Sequence, residues 1–199
     1  MTRISTVRKS IAYHLTRPVV LLLAKTNLAP DAITWFGFLI SVGAAVLIAT
    51  EHLLAAGFVV LIAGFFDMLD GALARSTERV SRFGAILDST LDRLAEAALL
   101  LGIIVLYVRE GFIVGILLAG IALPGSFLVS YIRARAEAQG LECEVGLFTR
   151  PERVVVLALG LLLSQIGYAF LVAALGIIVL LSFVTISQRL LYVWRQTKS

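Results

Sequence analysis

The longest uncharged stretch of the chain constrains the fold most strongly. Residues 154–188 contain no Asp, Glu, Lys or Arg over 35 consecutive positions. As one α-helix this stretch would be about 52 Å long, whereas the hydrocarbon core of a bilayer is about 30 Å thick. We therefore expect two membrane-spanning helices here, divided at the SQIG segment of residues 164–167 and ending near Trp194.

Four further spans are expected upstream, at residues 32–50, 53–75, 83–108 and 111–132. The chain is 60% hydrophobic with a mean hydropathy of +0.99, which excludes an ordinary soluble domain. The predicted fold class is an all-α integral membrane protein with six transmembrane helices. Residues 1–199 form one domain, in which the six-helix bundle occupies 31–194. Cys143 is the only cysteine, so an internal disulfide is excluded.

The N-terminal segment and the distribution of charge predict the orientation. Residues 2–26 combine apolar residues at spacings of three and four with basic residues, which is typical of an amphipathic helix on a membrane surface. If both termini face the cytoplasm, Arg109 is the only basic residue of the opposite face. The positive-inside rule therefore favours a cell-membrane protein with both termini in the cytoplasm. The net charge of +4 then reflects this asymmetry, so no nucleic-acid partner is expected.

Four of the five aspartates lie within the thirty residues 65–94. They are Asp67, Asp70, Asp88 and Asp92, in a segment otherwise apolar enough for a membrane. A carboxylate at bilayer depth costs about 2.5–3.5 kcal/mol on insertion scales, and several close together repel one another. Carboxylate oxygens suit hard divalent cations such as Mg²⁺, Mn²⁺ or Ca²⁺. The sequence therefore predicts a metal site.

The spacing of these acids predicts one converging site. Asp67 and Asp70 are three residues apart on one helix, and Asp88 and Asp92 are four apart on the next, so each pair shares a helix face. Glu96 continues the second stripe and either supports the metal site or pairs with Arg93. The acids lie toward the cytoplasmic ends of their spans. A transporter for cations would also use intramembrane acids, but it would usually place them near the midplane between repeated halves.

The acids belong to a longer pattern, Asp67-x2-Asp70-Gly71-x2-Ala74-Arg75-x8-Gly84-x3-Asp88-x3-Asp92. This pattern resembles the complete signature of the CDP-alcohol phosphatidyltransferases, with no departure at its eight fixed positions. The resemblance implies a homodimeric membrane enzyme of phospholipid biosynthesis. Its donor would be CDP-diacylglycerol or a related CDP-lipid, an acceptor hydroxyl would attack the β-phosphorus, and CMP would leave.

The resemblance also implies roles for individual residues. Asp67, Asp70 and Asp88 would hold one Mg²⁺ or Mn²⁺ ion, and Asp67, Asp88 and Asp92 a second. Asp92 would also accept the proton of the attacking hydroxyl. The residues implied for the CDP-lipid are Asp31, Thr34, Gly71, Arg75 and Ser81. For Asp31 and Thr34, simple capping of the first helix is an equal alternative.

Four arginines at the facing ends of the fourth and fifth helices suit an acceptor that carries a phosphate. They are Arg133, Arg135, Arg150 and Arg153. The segments SYIRARAEAQGL and TRPERVVVL resemble phosphatidylinositol phosphate synthases of actinobacteria and their archaeal relatives, which implies inositol 1-phosphate as the acceptor. Glycerol 3-phosphate is the alternative acceptor, and positive-inside anchoring is the alternative role for the arginines.

Overall fold

The structure is a computed structural model that describes residues 19–20, 29–77 and 81–198. Within these ranges all regular structure is helical. The six long helices are α1 (Pro30–Ala49), α2 (Leu53–Ser76), α3 (Arg82–Glu110), α4 (Ile113–Ala138), α5 (Arg150–Leu163) and α6 (Ala169–Thr197). The predicted division of the long uncharged stretch is confirmed, because α5 ends at Leu163 and α6 begins at Ala169.

Four of the described helices are long and apolar enough to cross a membrane. The qualifying segments are Pro30–Ala49, Leu53–Ala74, Ile113–Ala138 and Ala169–Thr197. The other two helices depart from that pattern for separate reasons. Helix α3 has the length but carries several charged residues, and α5 has 14 residues, or about 21 Å. The protein is therefore a multi-pass membrane protein. The predicted amphipathic helix at 2–26 lies outside the described residues except for Val19 and Val20, which are helical.

The helices pack as a closed ring. Following their contacts, the order around the ring is α1, α2, α5, α6, α4, α3 and back to α1. All six helices contribute to one apolar core, for example through Ala56 of α2, Ile103 of α3 and Leu175 of α6. Helix α1 approaches α3 so closely that a Cβ on Gly102 would lie 2.5 Å from the Ala45 carbonyl oxygen. Small residues thus permit close helix contact, as is common in membrane bundles.

Large apolar side chains cover the outside of the bundle. Phe36, Ile86, Ile113 and Leu180 are each more than half exposed. Such a surface would aggregate in water, whereas lipid chains accommodate it. The exterior therefore agrees with a membrane setting.

The observed helix ends test two of the predictions about helix capping. The capping box at the start of α5 is confirmed, because the Thr149 amide donates to Glu152 Oε2 at 2.8 Å. The interpretation of Asp31 as an N-cap is wrong, because α1 begins at Pro30 after Ala29 and has no side-chain cap. Proline suits the first helical position, and this places Asp31 inside the first turn, where a carboxylate is favourable to the helix dipole.

Candidate active site

Helix α2 brings two acids to one end of the bundle. Asp67 and Asp70 lie in its second half, and Asp70 is only 4% exposed. One Asp70 oxygen, Oδ1, accepts a hydrogen bond from the Gly71 amide at 2.5 Å. The other, Oδ2, is buried with no hydrogen-bond partner among the described residues. A buried acceptor without a partner is costly, which marks this oxygen as available to a ligand.

Helix α3 supplies the other half of the acid cluster. Asp88 and Asp92 stand one turn apart near its start, on the side that faces α2. One carboxylate oxygen from each of Asp67, Asp88 and Asp92 lies within 4.8 Å of the others. Asp70 is near enough to interact electrostatically with Asp67 and Asp88, although it lies outside that trio. The predicted convergence of two acid stripes is therefore present in the structure.

These residues fit a divalent metal centre. The donor set is entirely carboxylate oxygen, which Mg²⁺ and Mn²⁺ prefer. Three half-buried carboxylates within reach of one another repel each other unless a cation lies among them. The unpartnered oxygen of Asp70 offers a further ligand atom beside the trio. The cluster thus has the composition, the spacing and the open coordination capacity that such ions need.

An arginine already reaches into the acid cluster. Arg150, the first residue of α5, places Nη1 2.7 Å from Asp67 Oδ1 and 2.7 Å from Asp92 Oδ1. One guanidinium nitrogen therefore links α2, α3 and α5 at a single point. The sequence predicts a role for Arg150 at the acceptor phosphate, whereas the structure places it against two of the predicted metal ligands. Sequence spacing carries no signal for this contact, because 83 residues separate Arg150 from Asp67.

A second arginine of α5 is buried one turn further into the bundle. Arg153 is 1% exposed and donates from Nε and Nη2 to the two oxygens of Glu96, at 2.6 and 2.9 Å. Both oxygens of Glu96 are therefore taken by Arg153, and the pairing of Glu96 with Arg93 is not the one observed. The Arg93 Nη1 donates instead to the Ser89 carbonyl oxygen.

The two remaining predicted acceptor arginines lie at the end of α4. Arg133 is about half exposed and its Nε donates to Glu137 Oε1 at 2.8 Å, one turn along the helix. Arg135 is exposed in the last turn of the same helix. The structure therefore keeps Arg133 and Arg135 at the surface, whereas Arg150 and Arg153 point into the bundle.

The predicted donor residues collect where α1, α2 and α3 begin or end. A Cβ built on Gly84 would lie 3.0 Å from Asp31 Oδ1 and 2.9 Å from Ser81 Oγ, so both side chains crowd this glycine. The Ser81 hydroxyl caps α3 by accepting from the Gly84 amide at 2.8 Å. Thr34, one turn after Asp31, lies beside the Asp70 carboxyl. Of the remaining two predicted residues, Gly71 is half-buried, and the side chain of Arg75 lies outside the described residues.

One basic residue near this end was missed from the sequence. Arg189 of α6 is 3% exposed, its Nε donates to the Val145 carbonyl at 2.9 Å, and its Nη1 donates to the Val129 carbonyl. It thereby ties the connection between α4 and α5 to α6. The signal was present, because Arg189 is the first charge after 35 uncharged residues.

Comparison with known proteins identifies the family. The family model for CDP-alcohol phosphatidyltransferase matches residues 27–187, which is most of the chain and includes the whole acid cluster. This chain belongs to the CDP-alcohol phosphatidyltransferases. Membership in a transferase family decides between the enzyme and the cation transporter in favour of the enzyme.

Individual relatives of this transferase cover nearly its full length. An archaetidylinositol phosphate synthase of Methanothermobacter thermautotrophicus is 39% identical over 172 residues, or 86% of each chain. A phosphatidylinositol phosphate synthase of Mycobacteroides abscessus is 38% identical over 185 residues, covering 88% of this chain and 82% of the relative.

Solved structures of the phosphatidylinositol phosphate synthase of Mycobacterium tuberculosis share the fold. The structure with CDP-DAG bound has a TM-score of 0.81 at 34% identity, over 90% of this chain and 93% of the other. The structure in complex with manganese and citrate has the same TM-score and identity, over 90% and 88% of the two chains. The architecture of this transferase is therefore that of a known phospholipid-synthesising enzyme.

Proposed function

We propose that this transferase moves a phosphatidyl group from CDP-diacylglycerol, or a related CDP-lipid, to a hydroxyl of inositol 1-phosphate and releases CMP. The observation that carries the proposal is the convergence of Asp67, Asp88 and Asp92 inside a helical membrane bundle. Relatives named for inositol phosphate lipids, and a related structure with CDP-DAG bound, support the choice of substrates.

The acid cluster is proposed to hold two divalent ions. Asp67, Asp70 and Asp88 form the first ligand set, and Asp67, Asp88 and Asp92 form the second. When bound, such ions neutralise a diphosphate, polarise its phosphorus and stabilise the leaving phosphate. A related structure in complex with manganese supports this assignment. Mg²⁺ is the proposed ion, and Mn²⁺ is expected to replace it.

The donor is proposed to bind between the starts of α1 and α3 and the end of α2. Asp31 and Thr34 lie on one face of α1, beside Gly84 and Asp70 respectively. Gly71, Arg75 and Ser81 complete the proposed set. Because Gly71 presents no side chain, a bulky nucleotide can approach the backbone closely there.

Asp92 is proposed to accept the proton of the attacking hydroxyl. The acceptor oxygen forms a bond to the β-phosphorus of the donor, while the bond from that phosphorus to the bridging oxygen breaks and CMP departs. The hydroxyl proton passes to the Asp92 carboxylate. The Asp92 carboxylate is half-buried among the other acids, and a positioned carboxylate can take up such a proton.

The acceptor phosphate is proposed to bind to the arginines at the ends of α4 and α5: Arg133, Arg135, Arg150 and Arg153. Arg189 adds positive charge, since it is within electrostatic range of Arg133 and Arg153. Guanidinium groups bind phosphate with paired, charge-assisted hydrogen bonds. Arg153 would act indirectly, through its positive charge, because its guanidinium is held by Glu96.

The membrane arrangement is also a proposal. All six long helices cross the membrane, with the N-terminal segment 2–26 lying along its cytoplasmic surface. Both termini and the acid cluster face the cytoplasm, and the protein forms a homodimer in the cell membrane. The support is the placement of Arg109 at the opposite end, where its Nη1 donates to the Ala49 carbonyl at 2.8 Å.

The test is a reconstituted assay with a choice of acceptors. The purified protein in liposomes containing CDP-diacylglycerol and Mg²⁺ is supplied with inositol 1-phosphate, glycerol 3-phosphate or free inositol. We expect CMP release with inositol 1-phosphate, loss of release in EDTA and recovery with Mg²⁺ or Mn²⁺. Mass spectrometry identifies the lipid product. A phosphatidylglycerol phosphate product, or release with free inositol, would overturn the acceptor assignment.

A further inference from the structure

Arg150 bridges two of the carboxylates that the proposed ions would need. Its Nη1 is within 2.7 Å of both Asp67 Oδ1 and Asp92 Oδ1. Asp67 belongs to both proposed ligand sets, and Asp92 belongs to the second. An oxygen that coordinates a divalent ion is a poorer acceptor for a guanidinium, and the two cations repel each other at this distance. Arg150 and the ions therefore compete for the same acids.

The two arginines of α5 are held very differently. Arg153 uses two nitrogens on both oxygens of Glu96 and is 1% exposed, and only its Nη1 has no hydrogen-bond partner among the described residues. Arg150 uses one nitrogen, its side chain is 20% exposed, and its Nε is buried with no hydrogen-bond partner among the described residues. Arg153 is therefore the fixed anchor of α5. Arg150 is incompletely satisfied and faces the open end of the site.

A phosphate would accept the hydrogen bonds that the Arg150 guanidinium does not make to Asp67 and Asp92. A guanidinium presents five donors in a planar fork, and a phosphate accepts two of them in parallel. The single bridging nitrogen of Arg150 cannot offer that paired geometry while it remains between two carboxylates on different helices. Release from Asp67 and Asp92 would free the fork for an acceptor phosphate.

We propose that Arg150 exchanges partners during the catalytic cycle. Divalent ions take Asp67 and Asp92 from Arg150, and the released guanidinium binds the phosphate of the acceptor. This inference rests on the proposed function, because it requires a phosphate-bearing acceptor. Binding of metal and binding of acceptor are thereby coupled, and an alcohol without a phosphate gains nothing from the coupling.

Thermodynamic linkage makes the exchange measurable without turnover. If metal ions raise the affinity for the acceptor, the acceptor must raise the affinity for the ions by the same factor. Couplings between sites typically amount to about 5- to 150-fold, and we expect about tenfold here. No CDP-lipid is needed, so the readout is independent of catalytic activity.

The experiment measures Mn²⁺ binding by electron paramagnetic resonance, with and without saturating inositol 1-phosphate. In the unaltered protein, the acceptor is expected to lower the Kd for Mn²⁺ by about tenfold. Arg150→Gln removes the competitor, so Mn²⁺ binds more tightly without acceptor and the acceptor has no further effect. Arg93→Gln is the matched control. It removes a charge beside Asp88 from a side chain that donates to Ser89 instead of bridging the acids, and it keeps the coupling.

The outcomes distinguish the exchange of partners from a simple electrostatic effect. They also test the identity of the acceptor separately from the exchange. Equal tightening of Mn²⁺ binding in Arg150→Gln and Arg93→Gln, or full coupling in Arg150→Gln, would overturn the exchange. Coupling with glycerol 3-phosphate alone would support the exchange and reject inositol 1-phosphate. If Arg150→Gln is not monodisperse, Arg150→Lys is measured in its place. It keeps the charge without the fork, and unchanged coupling in that variant would count against the exchange.

Discussion

Arg153 and Glu96 form a two-point ion pair inside the helix bundle, with nitrogen–oxygen distances of 2.6 and 2.9 Å. The pair joins α3 to α5 one turn deeper than the contact between Arg150 and Asp92. Two parallel cross-links therefore hold the same two helices. The deeper one fixes the position of α5, and through α5 it fixes where Arg150 enters the acid cluster.

Glu96→Gln is expected to destabilise the protein strongly. The change leaves the buried guanidinium of Arg153 without its counter-ion, and breaking a buried pair typically costs about 3–5 kcal/mol. Thermal unfolding in detergent measures the effect. Glu137→Gln is the matched control, since it breaks an exposed pair with Arg133 of the kind usually worth less than about 1 kcal/mol. Equal losses in the two variants would show that burial of the first pair is unimportant.

Asp92→Asn is expected to keep the donor bound and to lower turnover by about 10²- to 10⁴-fold, the usual contribution of a general base. The amide has nearly the same shape, and its oxygen can still accept from Arg150, but it cannot take up a proton. CMP release and CDP-lipid binding are measured separately. Thr90→Ala, an exposed position of the same helix, serves as the control. Retained turnover in Asp92→Asn would remove Asp92 from this role.

Arg135→Gln is expected to raise the KM for inositol 1-phosphate by about tenfold or more, because a hydrogen bond to a charged group is worth about 1.5–3 kcal/mol. The KM for the CDP-lipid should stay unchanged. Arg109→Gln removes an exposed arginine at the opposite end of the bundle, near Glu51, and is the control. If both variants shift the KM equally, the effect comes from net charge and not from a phosphate site.

Gly102→Ala is expected to lower the melting temperature, because its Cβ would lie 2.5 Å from the Ala45 carbonyl oxygen and force α1 away from α3. Gly43→Ala is the control on α1, since a Cβ there meets no heavy atom within 4 Å. That substitution should be neutral or slightly stabilising, as alanine favours helix by up to about 1 kcal/mol. Thermal unfolding of both variants in detergent makes the comparison. A higher melting temperature for Gly102→Ala would contradict the close approach.

Local patterns in the sequence were sufficient to predict the helices and the acid cluster. Hydrophobic stretches bounded by charges located the helices within a few residues, apart from α4, which continues to Ala138 beyond the predicted end at 132. Bilayer thickness required a break in the long uncharged stretch, and the SQIG segment of residues 164–167 placed that break directly after Leu163. The spacing of the aspartates placed each pair on one face, because helical periodicity depends only on neighbours in the chain.

Contacts between distant parts of the chain could not be predicted from these local patterns. One prediction from the sequence was that Glu96 pairs with Arg93, because side chains three residues apart on a helix can contact each other. The fold instead brings Arg153 to Glu96 across 57 residues. Arg189 was overlooked for a similar reason, since its partners are backbone carbonyls of other elements.

The sequence by itself determined that the chain is a membrane bundle with carboxylates gathered for a divalent metal, since hydropathy, helical period and residue chemistry are local properties. Only the tertiary structure decided which arginine touches the acids and which is buried against Glu96. That choice depends on how the helices pack, because α5 lies beside α2 in the ring while the side chains of its arginines reach across the bundle to acids of α3.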